Sequence, residues 1–385
     1  MNQLLPVSPP PPLLAASPAG RPRRIAFYLH DLSGGGVERM RLGLIGALRA
    51  AGCEVSLLLH AAGGPLADLL PPDLPRHCFA TPRTSADIRP LAAYLRAARP
   101  DVLVASLDHN NIAALLARAL CPGPTRVVVC QHNALSAEAA SMGWKYRAVP
   151  LAYRLLAPLA ARFVAVSEGV AEDLAAAAGL RRERISVIHN PVLEADFAAR
   201  AAAPAPHPWF REPLPVIVTA GRLVAQKDHA TLLHALAHLR RRLPARLIIL
   251  GEGPLHEALR RHAAALGLGP HVDLPGFVAN PLPFFREAAA FALASRHEGF
   301  GNVLVEALGC GTPVVATDCP HGPAEILRRG AFGRLVAPGD AAALADALFQ
   351  TLQAPPHPAM LRARARDFTA ARNRDAWLDL FGALA

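Results

Sequence analysis

The chain has 385 residues, a formal net charge of +10, and 52% hydrophobic but only 5% aromatic residues. At roughly 150 residues per domain, that length requires two compact units rather than one core. The basic excess suits phosphate-bearing ligands or an anionic membrane surface, whereas dispersed arginines without interleaved aromatics or zinc spacing exclude nucleic acid as a partner.

The proline run Pro9 to Pro12 lies in an apolar N-terminal stretch whose charges, Arg21, Arg23 and Arg24, come last. A signal peptide has the opposite order, so residues 1–22 read as a flexible tail. Nowhere do about 18 consecutive apolar residues occur without a charge or proline, which excludes a spanning helix. The six cysteines are scattered without Cys-x-x-Cys, as reduced thiols of a cytoplasmic protein are.

Short β-branched runs alternate with Ala/Leu/Arg segments of helical period, the pattern of βα units on parallel sheets. Strands are expected at 25–29, 54–59, 102–106, 126–130, 163–166 and 185–188, then at 215–219, 246–250, 272–274, 290–294, 313–317 and 333–336. The Ala/Pro-rich segment 201–208 between the two sets reads as a linker. The expected division is therefore a domain at 23–200, a domain at 209–365 and a terminal segment at 366–385. Polar and glycine-rich clusters fall just after the strands, where open α/β sheets bind ligands.

After the first strand, Gly34, Gly35 and Gly36 precede a predicted helix at 37–51, so their N–H groups suit a phosphate. The run fails the dinucleotide fingerprint, since Arg39 stands where the third glycine belongs, and a tight turn without ligand is the competing reading. His132, with Asp108, His109 and Asn110, follows other strands as sugar-contacting or merely structural residues. Trp144, Tyr146, Arg147, Tyr153, Arg162 and Phe163 mix bases and aromatics at roughly helical spacing across 144–163. That stretch reads either as a membrane-surface element or as a helix packed on the first sheet.

In the second half, Arg222 and Lys227 lie between a strand and a predicted helix at 230–239. A bidentate guanidinium and a mobile ammonium suit a diphosphate, and a solvated basic loop is the alternative. In Glu298-Gly-Phe-Gly-Asn-Val-Leu-Val-Glu306, one continuous helix would set the carboxylates roughly 12 Å and about 80° apart, which excludes a catalytic dyad. Gly299 and Gly301 instead predict a loop that turns helical near Asn302, with the N–H groups of Phe300, Gly301 and Asn302 facing a phosphate. Asp318, His321 and Glu325 match no metal spacing, so no metal is expected.

These motifs together resemble the retaining glycosyltransferases of family four. The resemblance runs from about Arg24 to Trp377 and rests on Gly-Gly-Val-Glu-Arg39, Val166-Ser-Glu-Gly-Val170, Val187-Ile-His-Asn-Pro191, Gly221-Arg-Leu223, Leu250-Gly-Glu-Gly-Pro254, Pro275-Gly-Phe277 and the Glu298 to Glu306 motif, in the family's order. It implies a GT-B fold, two facing Rossmann-like doubly wound domains with a nucleotide-sugar site in the cleft between them. Glu298 and His132 would face the donor sugar, and Arg222 and Lys227 the diphosphate. Glu306 would hold the ribose, the backbone at Phe277 and Val278 the base, and Gly34, Gly35, Gly36, Gly253, Phe300, Gly301, Asn302 and Val303 would complete the donor site. The end of the chain, with Phe368 and Trp377, would cross back to the first domain.

The resemblance further implies a metal-independent, cofactor-free transfer of a hexose or N-acetylhexosamine from a nucleotide diphosphate sugar, a UDP-sugar being the expected donor, to a glycan or lipid-linked acceptor in surface polysaccharide or glycoconjugate synthesis. The scattered thiols suit the cytoplasm, and the 144–163 stretch with the basic net charge suits the inner face of the membrane. A sugar-nucleotide epimerase of the same fold and a non-catalytic nucleotide-binding protein are the alternatives.

Overall fold

A computed structural model describes residues 24–33, 36–141 and 144–384. The expected tail at 1–22 and two of the predicted phosphate-loop residues, Gly34 and Gly35, lie outside the described residues.

The chain forms two compact units, one comprising residues up to Pro191 and from Ala370 onward, the other Val192–Thr369. The first is built on β1 (Arg24–Leu29), β2 (Glu54–Leu59), β3 (Arg76–Cys78), β4 (Val102–Ser106), β5 (Arg126–Gln131), β6 (Arg162–Ala165) and β7 (Ile185–Val187). They make a seven-stranded sheet in the order β3-β2-β1-β4-β5-β6-β7, with every pairing parallel. The second unit holds β8 (Val216–Ala220), β9 (Arg246–Leu250), β10 (Val272–Gly276), β11 (Ala290–Leu293), β12 (Val314–Thr317) and β13 (Arg334–Val336). Its six-stranded sheet has the order β10-β9-β8-β11-β12-β13 and is also wholly parallel. β4 and β8 are buried along their whole length, which is why they appear in the sequence as unbroken apolar runs rather than alternating ones. Both orders reverse at one point, between β1 and β4 and between β8 and β11, and a doubly wound sheet opens its ligand crevice there.

β3 is the strand that the sequence does not announce. Arg-His-Cys has no apolar run, and the segment is extended because Leu57 N–H donates to Pro75 O at 2.9 Å and the edge of β2 is open to it.

Residues 201–208 are not a free linker. The chain changes units earlier, at Pro191 and Val192, where the N–H groups of Val192 and Leu193 both donate to Phe368 O. The helix Phe197–Ala202 belongs to the second unit. There Asn280 Nδ2 donates to Arg200 O at 2.9 Å and Arg286 Nη1 to Ala201 O at 2.8 Å. His207 Nε2 then meets Asp273 at 3.0 Å.

Phe368 likewise stays in the second unit, its ring 5.3 Å from that of Phe300. The return to the first unit begins at Ala370. The helix Ala370–Leu384 buries Trp377 and Phe381 in one core cluster with Ile25, Phe27 and Leu44.

The 144–163 stretch is not one helix. It runs as Trp144–Ala148, Val149–Leu156 and Ala157–Leu159 before entering β6. Tyr153 and Phe163 are buried, their rings 6.0 Å apart, so packing on the first sheet claims its central aromatics. Leu151 and Leu155 are exposed beside Arg147 and Arg154. Among the described residues no helix is long and apolar enough to cross a membrane.

Candidate functional site

In the second unit the loops after β8 and β11 meet at the switch point. The chain leaves β8 through Gly221, turns at Ala225–Lys227 and enters the helix His229–Arg240, whose first turn Asp228 caps by accepting from Thr231 N. The loop after β11 is laced to it. Arg296 N–H donates to Gln226 O at 2.8 Å, Gln226 Nε2 to His297 O at 2.8 Å, and Arg296 Nε to Asp228 Oδ2 at 3.0 Å.

This lacing sets Lys227 Nζ 2.6 Å from Glu298 Oε1, and Ser295 Oγ donates to the same oxygen at 2.6 Å. Glu298 is 6% exposed; a carboxylate that deep is tolerable because it is paired and hydrogen-bonded. Arg222, in the same loop, is exposed, and among the described residues it has no ion-pair partner. Its guanidinium is available for an anionic ligand.

Beside this pair lies the expected loop-to-helix switch. Gly301 has φ 102°, a left-handed conformation that a side chain resists, and it opens the helix Asn302–Cys310. A helix N-terminus presents backbone N–H groups and a partial positive charge to a phosphate. The ring of Phe300 is buried against Phe368. Val303 and Glu306 are half-buried in the helix. Burial pushes the Glu306 carboxyl up to about 7, with Arg200 opposing and Glu194 reinforcing the shift.

Gly253 is required for a different reason, since a Cβ there would lie 2.6 Å from Leu223 O and part the loops after β8 and β9. Phe277, 67% exposed, stands just beyond β10 with the half-buried Val278. A large exposed aromatic at the carboxyl end of a strand suits stacking on a flat ring.

The first unit places Gly36 at the start of the helix Gly36–Ala50 and His132 just past β5. His132 Nε2 lies 3.5 Å from Arg41 Nη2, and burial together with Arg41 holds its pKa well below the ordinary imidazole value. Asp108 is committed to the buried Tyr153, whose hydroxyl donates to Oδ1 at 2.6 Å and accepts from Asn111 Nδ2 at 2.8 Å. His109 belongs to a ring cluster, 4.8 Å edge-on to His30, which stacks on His60 at 4.7 Å. The His60 and Arg41 contributions have no sequence signal, because single residues of such abundant types stand out in no local motif. Asp318, His321 and Glu325 do not come together as ligands: among the described residues no group of three His, Cys, Asp or Glu has metal-binding geometry.

The comparisons with known proteins fall on both units. The profile described as Glycosyltransferase Family 4 matches residues 34–194 and that of Glycosyl transferases group 1 matches residues 214–354. A relative from Campylobacter jejuni, N-acetylgalactosamine-N,N'-diacetylbacillosaminyl-diphospho-undecaprenol 4-alpha-N-acetylgalactosaminyltransferase, is 31% identical over 230 residues, 60% of this chain and 61% of that protein. Other curated relatives are matched over less of their length, 28% and 39% in two cases.

Anabaena Alr3699/HepE in complex with UDP superposes with a TM-score of 0.77 at 22% identity, over 94% of this chain and all (100%) of that one. The apo lipopolysaccharide outer core galactosyltransferase WaaB gives 0.74 at 21%, over 92% and 97%. With one matched family region in each unit, and two parallel-sheet α/β units shared with these structures, the chain belongs to the family-four glycosyltransferases of GT-B fold.

Proposed function

We propose that the protein transfers a hexose or N-acetylhexosamine from a UDP-sugar to a glycan or lipid-linked acceptor, with retention at the anomeric carbon. The observation that carries this reading is the Lys227–Glu298 pair at the switch point of the second sheet, beside the uncommitted Arg222 and a helix N-terminus. Lys227 spends one of three N–H donors on Glu298 and has two for a phosphate. Arg222, Lys227 and the Asn302–Cys310 helix stabilise the departing diphosphate, so no metal or other cofactor is required.

Glu298 Oε2 faces the transferring sugar, and neutral His132 hydrogen-bonds a hydroxyl near the reacting carbon. Glu306 holds the ribose, Phe277 and Val278 hold the base, and the turns at Gly253 and at Phe300 to Val303 close on the phosphates. The acceptor hydroxyl attacks on the face that the leaving group departs from. Its proton passes to the diphosphate oxygen, and positioning supplies the rest of the rate.

The relatives support the donor and acceptor classes: HepE has been seen with UDP and with UDP-glucose, and the Campylobacter relative carries a diphospho-undecaprenol-linked saccharide in its name. Exposed Leu151 and Leu155, flanked by Arg147 and Arg154, would rest on an anionic cytoplasmic leaflet where such an acceptor resides. Incubation with a nucleotide-sugar panel and a lipid-diphosphate saccharide acceptor, followed by proton NMR of the product, tests the reading. Release of UDP and an α-linked product from an α-linked donor is expected, and an inverted product overturns the mechanism.

A further inference from the structure

Arg41, in the helix that follows β1, is 3% exposed. Its Nε donates to Ser106 Oγ at the end of β4 at 3.0 Å, its Nη2 lies 3.5 Å from His132 Nε2, and its guanidinium carbon stands 4.9 Å over the Trp377 ring. These groups surround the switch point of the first sheet, and none of them carries a negative charge. Glu38, buried one turn earlier on the same helix, makes no ion pair with it among the described residues. The nearby Cys130 is a buried thiol whose pKa is raised, so it offers no thiolate.

A guanidinium cannot shed its proton, and the cost of burying an uncompensated charge exceeds what one cation–π contact returns. The imbalance sits where a doubly wound sheet binds ligands, Arg41's partners there are all neutral groups, Ser106, His132 and the Cys130 thiol, and a guanidinium's planar fork matches phosphate geometry.

We infer that Arg41 and His132 form an anion subsite in the first unit that receives a phosphoryl group. The phosphate comes either from the donor diphosphate or from a lipid-linked acceptor. Only the choice between these sources rests on the proposed function; the binding itself does not. Arg41 pairs with the phosphate oxygens, while neutral His132 faces the guanidinium through Nε2 and keeps its Nδ1 for the sugar hydroxyl.

The test measures binding without turnover, using full-length protein in which Arg222→Ala and Lys227→Ala silence the second unit. Titration with inorganic pyrophosphate, UDP and a short-chain isoprenyl phosphate is compared between that protein and its Arg41→Met and Arg41→Lys variants. Arg41→Met is expected to unfold at the same or higher temperature without ligand and to bind pyrophosphate at least tenfold more weakly. Arg41→Lys, which keeps the charge but loses the fork, should fall between and serves if the methionine variant does not fold. A further loss confined to UDP assigns the subsite to the donor, and one confined to isoprenyl phosphate assigns it to the acceptor. Unchanged affinity for all three overturns the subsite. If Arg41-dependent binding is found but the wild-type protein transfers no sugar, the proposed function fails and the subsite stands; wild-type transfer with Arg41-independent binding removes the subsite and leaves the proposed function in place.

Discussion

Lys227 Nζ and Glu298 Oε1 are 2.6 Å apart because they follow β8 and β11, which are neighbours in the sheet although the two residues lie 71 positions apart along the chain. The pair therefore serves the fold as well as the proposed chemistry. Lys227→Ala strands the buried Glu298 carboxylate and leaves the Ser295 hydroxyl to hold its Oε1, and a loss of about 3–5 kcal/mol is expected. Adding Glu298→Gln should restore part of it in a double-mutant cycle by denaturant unfolding. Exposed Arg222 has no such duty. Arg222→Ala should shift stability by less than about 0.5 kcal/mol while costing transfer roughly 2–4 kcal/mol. Equal stability losses for the two alanine variants would contradict the division.

The two glutamates of the motif should separate in kinetics. Glu298→Gln is expected to depress turnover strongly with little change in affinity for free UDP. Glu306→Gln should weaken binding of donor and UDP alike, with a smaller loss at saturation. Isothermal titration with UDP beside steady-state kinetics reads both. Equal effects on UDP affinity would remove the assignment.

Glu306 also predicts a pH dependence. Its carboxyl is raised from 4.5 to about 7 in the folded protein, so the native state holds the proton more tightly than the unfolded chain. Stability contributed below pH 4.5 is thus lost as pH rises through about 7, by on the order of 1–3 kcal/mol. Glu306→Gln should flatten unfolding free energy over that window. Ribose hydroxyls that donate to a carboxylate would expel the proton, so UDP binding near pH 6.5 should release protons, visible as buffer-dependent binding enthalpy. A buffer-independent enthalpy would place the ribose elsewhere.

Gly301→Ala tests the turn that opens the helix. The atoms nearest the added methyl belong to the Leu304 and Ile326 side chains, at 3.5 Å or more, so backbone conformation at φ 102° carries the effect. A destabilisation of about 1–2 kcal/mol is expected, with weaker UDP binding as the helix end shifts. Unchanged melting and affinity would show that the turn tolerates an L-residue.

Leu151→Ser with Leu155→Ser should abolish salt-sensitive binding to vesicles containing anionic lipid without lowering the melting temperature, since both side chains are exposed. Wild-type protein that ignores such vesicles at low ionic strength would refute the membrane proposal.

Most strands are legible because parallel sheets bury both faces and write apolar runs into the sequence. The Glu298 to Glu306 segment is legible through its glycines. Segment 201–208 misleads because alanine and proline look like a spacer, while Asn280, Arg286 and Asp273, far along the chain, are what secure it and the helix before it. β3 and Arg41 are invisible for a related reason. An edge strand borrows its hydrogen bonds from a neighbour, and a buried arginine looks in sequence like any surface one.

The two crossings between units lie side by side, for Leu193 bridges to Thr369 as Val192 bonds Phe368. The second unit is thus inserted into the first. A ribosome releases the first sheet early but supplies Trp377 and Phe381, which complete its core, only after the whole second unit. The earlier-made unit finishes folding last, and until then its apolar face waits uncovered. A chain cut after Thr369 would retain a closed second unit and an unfinished first one.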